Sequence, residues 1–313
     1  MEANMKKIAM VVMLFIIITL VYFMMNGEDL KITDKVRAEN GGNSIALSDG
    51  VTYYKTGGPA DKPLLLLIHG YAVPSFIWDD VYEGLIKKGE HVLMYDIYGS
   101  GFSDRPDASY NPEMLRRQIE ELLRGLGIKG KINIAGLSMG GGIAADYIKY
   151  HPDMVKSAIF ISPYRIPQEM PLIAKVLLVP GIGDYLMTVI GDSVFKKRLK
   201  ENFHRPLNYG EIEKNFNYQL RFKGSKRALL MKMRNWMQND YSESFKAVAV
   251  NRIPSILLWG KNDAVIPFKL SGEIISLIPE IEFFPLENMG HISTLEDPEK
   301  ITSIIEAFIR KKQ

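Results

Sequence analysis

Residues Gly136-Leu137-Ser138-Met139-Gly140 set a serine between two glycines, behind the apolar run Lys131–Ala135, which reads as a strand, and ahead of Gly141–Tyr150, which reads as a helix. A Gly-x-Ser-x-Gly at such a junction makes a sharp turn whose central residue takes a sparsely allowed backbone conformation, while the glycines let strand and helix approach closely. The hydroxyl is then held out at the top of a sheet, beside the start of a helix. Serine oxygen is a weak nucleophile near neutral pH and needs an adjacent base. Histidine suits that role because its pKa lies near the working pH. A buried carboxylate fixes the imidazole tautomer and stabilises the imidazolium as it forms.

His291, in Gly290-His291, and Asp263, in Gly260-Lys261-Asn262-Asp263, are the candidates for base and acid. The other histidines place poorly: His91 opens a strand, His151 ends a helix beside Pro152, and His204 lies in the insertion at residues 164–248. His69 is the second choice for base, with a structural role as the competing reading. Asp96 heads a glycine-rich turn, where a carboxylate bonds nearby N–H groups. Asp104 and Asp107 read as solvated loop residues.

These groups need a frame. Ser44–Leu47 and Val51–Thr56 flank Ser48-Asp49-Gly50 and predict a hairpin. Leu64–Ile68 is a continuous apolar run, as in a strand buried on both faces. Strands and helices then alternate: helix Ser75–Lys88, strand His91–Tyr95, helix Pro112–Leu126, strand Lys131–Ala135, helix Met139–Tyr150 and strand Ala158–Ser162. The alternation stops near Pro163 and resumes with strand Ser255–Trp259, helix Phe268–Leu277, strand Glu282–Pro285 and helix Pro298–Lys311. This predicts an α/β fold with a mostly parallel sheet and helices on both faces. Residues 164–248 form a helical insertion between a first core part (28–163) and a second (249–313). Ligands of open parallel sheets bind outside the carboxyl ends of the strands, so the segments carrying His69, Asp96, Ser138, Asp263 and His291 gather on one rim.

The order Ser138, Asp263, His291, together with His69-Gly70, Asp96–Ser103, Gly136–Gly141, Trp259–Pro267 and Met289–His291, resembles the α/β-hydrolase superfamily from about residue 45 onward. The resemblance implies an eight-stranded sheet, a helical cap formed by the insertion, and an oxyanion hole built from the backbone N–H groups of Tyr71 and Met139. For Met139 the residues agree, since it follows the serine at a helix start; Tyr71 offers its main chain, and its side chain is expected to line the acyl or alcohol pocket. The layout of anchor plus capped domain is similar to that of membrane-bound monoacylglycerol lipases and carboxylesterases.

Ile8–Met25 has eighteen residues without charge, Gly or Pro. As a helix it extends roughly 27 Å, close to the hydrocarbon thickness of a bilayer. The run is too long, and Met25-Asn26-Gly27 too poor a cut site, for a cleaved signal peptide. Residues 1–27 are therefore read as an uncleaved single-pass anchor that meets membrane lipid. Lys6 and Lys7 before it, with Glu28 and Asp29 after it, put the N-terminus in the cytoplasm and the catalytic domain outside.

With 313 residues and a net charge of +3, the chain gives no reason to expect a nucleic-acid partner. It has no cysteine, which excludes disulfides, thiolate metal sites and a cysteine nucleophile. No His/Asp/Glu set stands at ligand spacing, so neither metal nor cofactor is expected. Oligomeric state is not encoded locally. The insertion is basic: Arg165 to Lys246 holds 15 Lys/Arg against 8 Asp/Glu. Its Met170–Ile190 stretch is apolar but broken by Lys175, Pro180 and Asp184, and so is not a second span. The expected activity is hydrolysis of an amphiphilic carboxylic ester through an acyl-enzyme. The alternatives are a carbon–carbon bond hydrolase with the same triad, which would need a cap arginine for its acidic substrate, and a non-catalytic binding module.

Overall fold

The computed structural model describes every residue except 1, 168, 170, 171, 206, 207, 312 and 313, so the start of the apolar stretch at Met170 lies outside the described residues. Eight strands form one sheet: β1 (Asn43–Leu47), β2 (Gly50–Gly57), β3 (Leu65–Ile68), β4 (Val92–Tyr95), β5 (Ile132–Leu137), β6 (Val155–Ile161), β7 (Ser255–Gly260) and β8 (Glu282–Leu286). Their spatial order is β1-β2-β4-β3-β5-β6-β7-β8. The first two pairings, β1 with β2 and β2 with β4, are antiparallel, and every later pairing is parallel.

The helices, in chain order, are α1 (Glu2–Met25), α2 (Asp34–Glu39), α3 (Asp79–Lys87), α4 (Pro112–Gly125), α5 (Met139–Tyr150), α6 (Leu172–Leu177), α7 (Ile182–Leu199), α8 (Tyr209–Leu220), α9 (Ser225–Asn235), α10 (Ser242–Val250), α11 (Ser271–Leu277), α12 (Ser293–Glu296) and α13 (Pro298–Arg310). Period-two alternation in the strands sorts the core into two layers. Leu66, Ile68, Ile134 and Phe160 face α4, α5 and α10, through Ile119, Ile143 and Phe245. Leu65, Leu67, Ala135 and Ile159 face α3 and α13, through Leu85 and Ile305. Apolar residues on both faces explain why these strands read as unbroken runs in the sequence.

Several predicted boundaries shift for local reasons. The Ser75–Lys88 helix divides into a tight 3-10 turn at Ser75–Trp78 and α3, whose first turn gathers the helix-favouring carboxylates Asp79 and Asp80. The Phe268–Leu277 helix divides in the same way after Pro267. Strand β5 runs on to Leu137 because Gly136 and Leu137 pair with Phe160 and Ile161, which carries the sheet up to Ser138 itself.

The polar segment after α1 is itself structured. It contains α2, capped by Thr33, whose hydroxyl accepts the Val36 N–H. It also forms a parallel bridge, Leu30 with Phe222, in which Leu30 donates to the Arg221 carbonyl (3.0 Å) and accepts from Lys223 (2.9 Å). The Glu28 carboxylate accepts the N–H groups of Gly224 (2.9 Å) and Lys226 (2.7 Å) at the start of α9. Among the described residues, α1 is the one helix long and apolar enough to cross a membrane, and its side chains are largely exposed. Its last turns lean on α7, with Tyr22 stacked on Tyr185 at a centroid distance of 6.2 Å.

Candidate active site

Ser138 follows the last residue of β5 and caps α5 with φ 57° and ψ −120°. A non-glycine residue there stores on the order of 1–3 kcal/mol of strain, which surrounding contacts must offset. Those contacts are visible. The Ser138 N–H donates to the Ile161 carbonyl (2.9 Å), and the Ser138 carbonyl accepts from Gly141 (2.9 Å) and Tyr164 (2.9 Å). Gly140 has to be glycine for a different reason: a Cβ there would lie 2.3 Å from the Ile68 carbonyl oxygen, so α5 starts in contact with the end of β3. The turn is thus fixed on three sides, and the hydroxyl cannot swing with its backbone.

Asp263 and His291 come from the ends of β7 and β8, and both are buried. One Asp263 oxygen accepts the N–H groups of Val265 (2.9 Å) and Ile266 (2.8 Å); the other lies 2.8 Å from His291 Nδ1. A carboxylate accepts, so Nδ1 carries the proton and Nε2 is left with its lone pair. His291 and Ser138 line the same cavity. The loop bearing His291 is tied to the segment just after α7. The N–H groups of His291 (2.8 Å) and Ile292 (3.1 Å) donate to the Asn202 carbonyl, and the Glu296 carboxylate accepts from Gly290, His204 and Arg205. Sequence reasoning missed both Asn202 and Glu296. Neither stands in a motif, and their partners come together only in three dimensions.

The loop after β3 closes the other side. A Cβ on Gly70 would sit 3.4 Å from Ser138 Cβ, which puts the Tyr71 main chain next to the serine. The N–H groups of Tyr71 and Met139 donate to no described residue. The Tyr71 ring lines the cavity, and its hydroxyl donates to the Leu229 carbonyl on α9 (2.8 Å). Burial pushes that phenol well above its usual pKa, so it remains a donor.

The rivals are engaged elsewhere. His69 Nε2 accepts the Ile97 N–H (2.9 Å) and its Nδ1 lies 2.7 Å from the Gly70 carbonyl, an arrangement that demands the neutral ring. Burial pushes its pKa down to about 4. His91 meets the Lys62 carbonyl and His151 meets Glu120. Asp96 accepts from Ser75 (2.9 Å) and Phe102 (2.8 Å), joining two loops of the rim. Asp104 is not a solvated loop residue: it pairs with Arg37 of α2 and accepts the Val51 N–H (2.8 Å). Beneath the rim, Lys232 of α9 is fully buried and donates to Ser100 Oγ at 2.6 Å. Burial, helped by nearby Arg105, pushes its pKa down to about 7.

Between rim and insertion lies a cavity of about 420 Å³. Its lining is largely apolar, with Leu177 from α6 and Met187, Ile190 and Val194 from α7, and includes the charged Arg198 and Glu201. A second depression, of about 310 Å³ between β8 and α13, touches none of the rim segments. Among the described residues no three His, Cys, Asp or Glu side chains are grouped as metal ligands would be. Chemically, the arrangement offers a fixed hydroxyl, an oriented imidazole and two free N–H groups at the mouth of an apolar chamber.

Comparison with known proteins agrees with this architecture. The sequence profile of the alpha/beta hydrolase fold family matches residues 63–298. The chain is 26% identical to Lipase 1 of Psychrobacter immobilis over 266 residues, 85% of this chain and 82% of that protein. It is 26% identical to the bifunctional esterase/perhydrolase DCH of Acinetobacter calcoaceticus over 284 residues, 85% of this chain and 99% of that one. A crystal structure of a membrane phospholipase A, described as a bacterial virulence factor, superposes with a TM-score of 0.73 at 22% identity, covering 100% of this chain and 99% of that one.

Proposed function

The chain belongs to the α/β hydrolase fold family, and from that premise we propose that it is a membrane-anchored serine hydrolase that cleaves carboxylic esters. The observation that carries the reading is the Asp263–His291 hydrogen bond in a cavity that also holds Ser138 on a strained turn. The lipase and esterase among its relatives support ester substrates.

In this reading Ser138 Oγ attacks the ester carbonyl carbon while His291 Nε2 takes its proton. The tetrahedral oxyanion accepts from the Met139 and Tyr71 N–H groups. Loss of one such donor typically costs roughly 3 kcal/mol of transition-state stabilisation. The imidazolium then protonates the departing alkoxide, leaving an acyl-Ser138 ester. Water repeats the sequence: His291 takes its proton, the hydroxide attacks the acyl carbon, and Ser138 recovers its hydrogen as the acid leaves. Asp263 holds the imidazole tautomer and offsets the charge of the imidazolium.

The apolar wall of the cavity suits an acyl chain, and α1 holds the site beside lipid with the N-terminus cytoplasmic and the remaining domain outside. A monoacylglycerol-like or other amphiphilic ester fits both. Residues 164–248 serve as the cap. The test uses full-length protein in detergent with nitrophenyl butyrate: Ser138→Ala lowers turnover at least about a thousandfold and abolishes labelling by a fluorophosphonate probe. Unchanged turnover would overturn the assignment.

Arg198 at the cavity favours a second reading, a carbon–carbon bond hydrolase acting on an acidic substrate. In that case Arg198→Met raises KM for the acid and leaves neutral esters untouched. The opposite pattern removes this reading.

A further inference from the structure

We propose that the α6–α7 hairpin of the insertion is seated in the outer leaflet beside α1, so that an acyl chain passes from the bilayer into the cavity without crossing water. The substrate half of this proposal rests on the ester-hydrolase reading; the seating rests instead on the reading of α1 as a membrane span.

The register between α1 and α7 carries the inference. The Tyr185 hydroxyl reaches the Ile18 carbonyl at 3.5 Å and its ring stacks on Tyr22, while a Cβ on Gly27 would lie 3.1 Å from the Asp192 carboxylate. Both chains advance together between these contacts, so the two helices run side by side in the same direction. If Ile8–Met25 fills the hydrocarbon layer, Ile18 lies about 10 Å below its outer edge, at about 1.5 Å per residue. Tyr185 then lies at that depth, and the turn before it lies deeper still.

The hairpin's composition matches such a position. Leu172, Val179 and Ile182 are exposed large apolar side chains in one short stretch, 77%, 45% and 58% accessible. The hairpin's carboxylate is half exposed but paired. Asp184 pairs with Arg234 of α9 at 2.9 Å, and the same guanidinium donates to the Leu177 and Val179 carbonyls at 3.0 Å each. A charge that enters a membrane needs such partners. Exposed Lys175 has a stem long enough to carry its ammonium toward the headgroups. Beyond Asp192, α7 ends in Lys196, Lys197 and Arg198, all exposed. Four and five residues on, Lys196 and Lys197 stand about 6–8 Å above the hydrocarbon edge, at the level of lipid phosphates. Leu177, Met187, Ile190 and Val194 of the same two helices form the cavity wall, so the hairpin has lipid on one side and the chamber on the other.

The chain has no cysteine, so one introduced thiol reports one place. Full-length Ile182→Cys, Leu172→Cys, Phe15→Cys and Val250→Cys proteins, each carrying a nitroxide, are reconstituted in phosphatidylcholine–phosphatidylglycerol vesicles. Collisions with oxygen and with a water-soluble nickel chelate then give label depth. The expected result groups positions 182 and 172 with position 15 inside the bilayer and leaves position 250 in water. A label at 182 that is as open to nickel as the one at 250 overturns the proposal, as does a watery label at 15. This measurement needs no turnover and stands apart from the ester reading. As a second readout, Ile182→Asp lowers hydrolysis of a vesicle-embedded long-chain ester at least about fivefold and leaves nitrophenyl butyrate turnover unchanged. Equal rates on the embedded ester before and after the substitution count against lateral entry.

Discussion

The rim and the insertion bury similar apolar side chains but hold themselves by different means. At the rim each chemical group is fixed through backbone: Ser138 by four main-chain hydrogen bonds, Asp263 by two N–H donors besides His291, and the His291 loop by Asn202 and Glu296. Part of the insertion is held instead by apolar side chains, several of them methionine. Leu177, Met187 and Leu230 make a small separate cluster, with Met231 and Met233 packed against it. Methionine fills irregular space and repacks at little cost. Backbone hydrogen bonds fix the rim side chains in place, and methionine-containing packing gives a wall that adapts to the shape of what it encloses. The two regions meet through polar contacts on α9, Lys232 with Ser100 and the Leu229 carbonyl with Tyr71, and just after α7, where Asn202, His204 and Arg205 hold the His291 loop and Glu296.

The largest effect that tests this contrast is at Asp263. Asp263→Asn keeps the shape of the rim but presents an amide where His291 needs an acceptor, and kcat for nitrophenyl butyrate falls about 10³–10⁴-fold with the melting temperature little changed. A small drop in rate would show that tautomer control is not built into the rim.

A middle-sized effect belongs to the junction. The unfolded chain keeps the Lys232 proton up to a pKa of 10.5, whereas the buried group releases it above about 7. Between those values the unfolded state binds more protons, so stability rises with pH across the window, and the cost of burying the charge is fully present below it. In denaturant titrations Lys232→Met removes this slope and raises the midpoint at pH 6 more than at pH 10. A variant with the wild-type slope would place the titration elsewhere. The smallest effect is in the wall: Val194→Phe shortens the preferred acyl chain by a few carbons and changes rates on long esters a few-fold, while short esters are unaffected, as read from a panel of graded nitrophenyl esters.

Much of the sheet was legible because its signals are local. Unbroken apolar runs such as Leu64–Ile68 mark strands buried on both faces, and Gly136–Gly140 declares its turn by residue type alone. Ser138, Asp263 and His291 could be picked as candidates for one rim because each follows a strand that the pattern already locates. What escaped depends on partners distant in sequence. Asp104 read as solvated because Arg37 lies 67 residues away. Glu296 supports the His291 loop by gathering N–H groups from residues 204 and 205 as well as 290. Nothing local in residues 28–43 announces that Glu28 caps a helix almost two hundred residues later. The course of α6 to α9 was hidden for the same reason: their apolar faces answer to one another and to the rim.

The bridge between Leu30 and Phe222 also sets a path for force. The segment leaving α1 is fastened to the α8–α9 turn by two main-chain hydrogen bonds and the Asp29–Arg221 pair before the chain enters the sheet. Tension along α1 therefore loads α9 before it loads β1, and α9 carries the carbonyl that holds the Tyr71 hydroxyl. Helix, strap and the loop after β3 stand in mechanical series, which makes the first helix a handle on the upper half of the molecule.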